Sequence, residues 1–188
     1  MPPKIRFTRD NIIQTAFEIA KNEGAENINV RTVSKKLGCS TQPVMYHFKN
    51  IEELKDEVYQ KADDYHTEYI TNIDGNAQDM LKNIGARYIR FAVEEKHLFR
   101  FLFQSDNSQK NSIVDIIESG EEVPFSDLLQ LLYGLNEAQS RDVFIQLFMY
   151  IHGLASVFAN HSLPYDEEYI TKKIELAIKS FVSAAKTT

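Results

Sequence analysis

The residue types that could do chemistry in this 188-residue chain gather in one stretch, positions 29–54, NVRTVSKKLGCSTQPVMYHFKNIEEL. Arg31, Thr32, Lys35, Lys36, Ser40, Thr41, Gln42, Pro43, Met45, Tyr46, His47 and Lys49 lie there, with no acidic residue between Glu26 and Glu52. Lys35, Lys49 and Tyr46 are types that bind phosphate oxygens. Thr41, Gln42 and Arg31 are types that reach base edges, glutamine pairing with adenine and arginine with guanine, while Pro43 and Met45 suit a thymine methyl. The stretch reads as a phosphate-facing surface.

Two short helices and one tight turn would position these groups. Val30, Val33 and Leu37 recur at helical spacing with Arg31, Lys35 and Lys36 on the other side, and Gly38 stands where a helix end needs a positive φ. Ser40 is expected to cap the second helix, and Pro43 then falls in its first turn, where a missing N–H costs nothing. This is a helix-turn-helix pattern. A helix–Gly–helix turn also joins ordinary bundle helices, and it is the cationic surface that favours duplex DNA. A helix over about 8–22 precedes it, capped by Thr8, carrying Ile12, Ile13, Ala16, Phe17 and Ala20 inward and ended by Gly24. Asn29 should cap the next helix behind an Ile28 plug, and Asn50 with Glu53 resembles a capping box opening a further helix near Ile51. Cys39, the one cysteine, is expected to pack in the turn, and no disulfide can form within the chain.

The formal net charge of −6 hides an asymmetry. Positions 1–50 hold eight Lys/Arg against four Asp/Glu, a net of +4, which leaves −10 for the remainder. The N-terminal part is thus suited to a polyanion while the rest stays away from it. No signal core is legible, and no apolar run is expected to reach the length of a membrane span, so a cytoplasmic location without membrane contact is expected. The five histidines, His47, His66, His97, His152 and His161, show no ligand spacing, and no HExxH, P-loop, paired-cysteine or GxSxG pattern occurs. Neither enzymatic activity, metal nor cofactor is expected.

Beyond the head, helical patterns continue over 51–73, from about 77 through Met80, Leu81, Ile84, Tyr88 and Phe91, over 96–103, 111–119 and 125–133, and in two long closing helices, 137–160 and 166–185, with breaks at 74–76, 104–109 and 120–124. The expected fold is all-α: a three-helix helix-turn-helix head, 1–54, on a larger helical body, 55–188, about nine helices in all. The closing helices carry apolar residues on more than one face, which predicts a homodimer through a twofold four-helix bundle. Aromatic and polar-tipped residues in the body, Tyr65, Tyr69, Tyr88, Phe91, Phe103, Phe148 and His152, are candidates for a small-molecule site, each with ordinary core packing as its alternative.

The segment TVSKKLGCSTQPVMYHFKNIEEL resembles the DNA-binding domain of the TetR family of transcriptional regulators, over roughly 7–59, and YIHGLA at 150–155 is similar to a His-Gly segment in the family's bodies. The resemblance implies a helical homodimer whose heads read a palindromic operator and whose bodies bind a small-molecule effector, with a repressor the leading form. It places Arg31, Thr32, Thr41, Gln42, Pro43, Met45, Tyr46 and His47 at DNA-facing positions and Lys49 at a phosphate. Met45 stands where the family usually has tyrosine, and Ile51 where it often has lysine. These two departures are what a co-regulator that kept the fold and lost DNA binding would show.

Overall fold

The computed structural model describes residues 7–72, 77–105, 123–161 and 163–187. These residues form nine α-helices and no strand: α1 (Arg9–Glu23), α2 (Val30–Leu37), α3 (Gln42–His47), α4 (Ile51–Thr71), α5 (Ala77–Glu94), α6 (Lys96–Phe103), α7 (Val123–Tyr133), α8 (Glu137–Asn160) and α9 (Glu167–Thr187). A 3-10 turn, Ala25–Asn27, joins α1 to the residues before α2. The expected helix at 111–119 and the break at 74–76 lie outside the described residues. α7 begins two residues before its expected start.

The chain divides into two compact units, Met1–His66 with His97–Asn107, and Thr67–Lys96 with Ser108–Thr188. Compared with the expected division after residue 54, the first unit gains α6 and most of α4. Within it, α1 turns Ile12, Ala16, Phe17, Ile19 and Ala20 inward, all buried at three- and four-residue spacing. Val33, Val44, Phe48, Leu54, Val58 and Ala62 complete this core. α6 is held by the Tyr59 hydroxyl donating to the Leu102 carbonyl at 3.2 Å and by an edge-on contact between Tyr59 and Phe101.

Local chemistry explains the helix ends. The Thr8 hydroxyl accepts from Asn11 N at 3.2 Å, and Asn29 Oδ1 accepts from Thr32 N at 3.0 Å. Gly38 adopts the left-handed conformation, φ 69°, and returns its N–H to the end of α2. Three expectations need correction. Ser40 does not cap α3: the cap position is Thr41, itself in helical conformation and without a side-chain bond. Helix entry one residue later leaves Ser40 too far back, and Pro43 offers no N–H to receive a cap. Cys39 is half-buried rather than buried. Asn50 accepts from Glu53 N at 2.8 Å as expected, but Glu53 Oε2 accepts from Lys49 N at 2.8 Å, so the reciprocal bond is displaced by one residue.

In the second unit α5, α8 and α9 pack on one another, with α7 against α5 and α8. Gly85 permits the close approach: a Cβ there would meet Ile151 Cδ1 at 2.8 Å and Ile174 Cδ1 at 3.4 Å. Ile89 and Phe91 are fully enclosed, and each such side chain contributes roughly 1.5–3 kcal/mol of burial. α8 opens with a complete capping box between Asn136 and Gln139. Against expectation, α8 is long and apolar enough by length and composition to cross a membrane. Val143, Leu147, Ala155 and Ala159 are buried in the packing of this unit, while Met149 and Val157 on the same helix are exposed.

Candidate nucleic-acid interface

α3 sorts its residues by face. Val44 and Phe48 point into the core, 1% and 4% exposed, and Pro43 and His47 lie half-buried at the flanks. Thr41, Gln42, Met45 and Tyr46 share the outer face, Met45 67% and Tyr46 83% exposed. This is the i, i+3, i+4 stripe of one helix side. Met45 and Tyr46 thus leave apolar surface in water side by side on this short helix.

Cations border that face. Arg31 and Lys35, one turn apart on α2, and Lys49 just beyond α3 are exposed, and none forms an ion pair among the described residues. Ser40 is exposed beside them, and Thr32 is half-buried with its N–H capped by Asn29. Lys36, counted among the phosphate-facing groups in the sequence, is instead paired with Glu23. His47 also differs from a freely presented contact: its Nε2 donates to the Phe7 carbonyl at 3.0 Å, which turns the imidazole into the unit.

Arg9 escaped the sequence reading and is central to the geometry. Its Nη1 donates to the His47 carbonyl at 2.6 Å, and its Nη2 pairs with Glu53 at 3.1 Å and Glu57 at 3.0 Å. The guanidinium lies 4.2 Å from the Phe48 ring centroid. A hydrogen bond from Lys49 N, followed by that from Arg9, holds the Glu53 carboxyl below its ordinary range. Two glutamates four apart on α4, facing an arginine at the start of α1, were the signal in the sequence.

The aromatic candidates do not form one group. Tyr65 and Phe103 belong to the first unit, where Tyr65 accepts from Lys21 Nζ at 2.9 Å and Phe103 meets the His66 ring edge-on. In the second unit Tyr69 packs on Phe91 and donates to Glu94 at 2.6 Å, under the Arg87 guanidinium. Tyr88 and His152 share a 2.9 Å hydrogen bond next to Phe148, which continues into stacked Phe144 and Phe125. Burial raises the Tyr88 phenol and lowers the His152 imidazole, so both are neutral near pH 7. Among the described residues no group of His, Cys, Asp and Glu is placed to hold a metal ion.

This arrangement of helices is that of known transcriptional regulators. A Rhodococcus regulator superposes with a TM-score of 0.72 at 18% identity, covering 95% of this chain and 97% of its own. A Mesorhizobium loti chain assigned to the TetR family superposes at 0.58 with 16% identity, covering 95% and 98%. In sequence the chain is 21% identical to YobS, an uncharacterized HTH-type transcriptional regulator of Bacillus subtilis, over 97% of this chain and 95% of that one. No protein-family model matches the chain. The chain therefore has the all-α fold of TetR-type regulators.

Proposed function

We propose that the protein is a DNA-binding transcriptional regulator of the TetR type, acting in the cytoplasm as a repressor on a palindromic operator. The observation that carries this reading is the outer face of α3, with Thr41, Gln42, Met45 and Tyr46 exposed and bordered by Arg31, Lys35 and Lys49. Cations fix phosphates while the neutral face meets base edges. Residues 1–54 are the DNA-binding part and 55–188 the effector-binding and dimerising part of this proposal. Met149, Val157, Tyr169 and Leu176, all more than two-fifths exposed on α8 and α9, support a homodimer through these helices. The Tyr88–His152 pair with Phe148 is the best-supported place for a small-molecule effector, since it joins polar tips to an aromatic wall. Selection of bound duplexes from a random library tests the proposal. An inverted repeat with half-sites about 34–36 Å apart supports it; a folded protein that enriches no sequence refutes it.

A further inference from the structure

We infer that α3 reads a thymine-rich half-site through neutral contacts, Met45 packing on thymine C5-methyl groups and Gln42 pairing with adenine, while the cationic residues act on phosphates alone. This inference rests on the proposed DNA binding and specifies what that interface recognises.

The exposed face is distinguished first by what it lacks. Guanine offers two acceptors, N7 and O6, in the major groove, and its usual partner is a bidentate arginine or lysine. α3, Gln42–His47, holds no arginine, lysine or acid. Its one imidazole, on His47, is committed to the Phe7 carbonyl. Arg9, which reaches the His47 carbonyl, is paired with Glu53 and Glu57, and the exposed cations Arg31 and Lys35 lie on α2 and Lys49 past the extended Phe48, outside α3 itself. What the centre offers is one amide, one hydroxyl, a thioether and a phenol. Only adenine, with an acceptor and a donor side by side, matches the glutamine amide twice, and only thymine adds a methyl that gains from contact with Met45.

Met45 stays 67% exposed, although helical geometry one position earlier buries Val44 completely. An unbranched thioether with several rotatable bonds adapts to a methyl at the floor of a groove. Seating it removes apolar surface from water on both partners, which is the free-energy source for methyl readout. Because these contacts carry no charge, discrimination between sequences should stay nearly constant as salt rises, even while total affinity falls.

The test takes the most enriched duplex and replaces thymine by deoxyuridine, which deletes only the methyl, at one symmetric pair of positions at a time. Wild type and Met45→Ala are titrated on both duplexes at 50 and 200 mM NaCl. Expected is a loss of about fourfold per methyl, or about 15-fold for the contacted symmetric pair, the scale of burying one methyl group. Met45→Ala should bind the two duplexes equally, and the wild-type ratio should be the same at both salts. A guanine-rich selected core, wild-type affinities that match on both duplexes at every position, or methyl sensitivity retained in Met45→Ala would overturn the inference and leave DNA binding intact. Absence of any enriched sequence would overturn both readings.

Discussion

The Arg9 guanidinium donates to the backbone carbonyl of His47 at 2.6 Å, and this bond ties the first residue of α1 to the last residue of α3. The same group reaches Glu53 and Glu57 on α4 and covers the Phe48 ring. One side chain thus fixes the C-terminal end of a helix only six residues long, too short to hold its own position.

Arg9→Ala should therefore loosen α3 before it unfolds the protein. The carbonyl bond and ring contact together are worth about 1–2 kcal/mol at this partly exposed site. Urea unfolding should show that loss, and amide exchange at Met45–Phe48 should accelerate more than in α1. Unchanged stability with unchanged exchange would show that Arg9 is a bystander.

On the proposed reading Lys49 bears on phosphate rather than sequence. Lys49→Ala should weaken all duplexes alike and lower the slope of log affinity against log salt by about 0.9 for each phosphate it no longer neutralises. Parallel titrations of the selected site and a scrambled one decide this, because a change in their ratio would place Lys49 on a base instead.

His66 is buried beside Phe103, and loss of solvent pushes its imidazole down to about 4. Between that value and the unfolded 6.5 the unfolded chain binds the extra proton. Stability is thus fully present above about pH 6.5 and is lost as pH falls toward 4. The protein should be less stable by about 2 kcal/mol at pH 5 than at pH 7.5 for this reason, and His66→Phe should remove that difference. Equal pH dependence in wild type and variant would assign the effect elsewhere.

Leu176 is 59% exposed on a helix whose inner face already buries Ile170, Ile174 and Ile178. Leu176→Glu should shift the protein from dimer to monomer in sedimentation while its helix content stays the same. A dimer that persists would move the interface away from this face.

Much of this arrangement was legible in the sequence because its signals are local. The left-handed Gly38, the Thr8 and Asn29 caps, and the extents of α6 and α8 follow from residues within a turn of each other. Ser40 and the displaced capping box were missed by a one-residue slip of a helix end, and the other misses depend on partners distant in sequence. Arg9 meets residues 38 to 48 positions away, the Phe7 carbonyl claims His47, and Glu23 claims Lys36. Tyr65 and Phe103 share helical periodicity with the other aromatics, yet their neighbours, Phe17 and His66, lie in the first unit. Periodicity assigns a face and is silent on which element will cover it.

The most direct measurement is the affinity of wild type and Gln42→Ala for the selected inverted repeat at 50 and 200 mM salt. A regulator that neutralises six or more phosphates should lose about 10³ in affinity across that range. Gln42→Ala should keep the same salt slope and lose about 1–3 kcal/mol of preference at each symmetric adenine it reads. Affinity that is equal at both salts, or a preference unmoved by the substitution, would contradict the account.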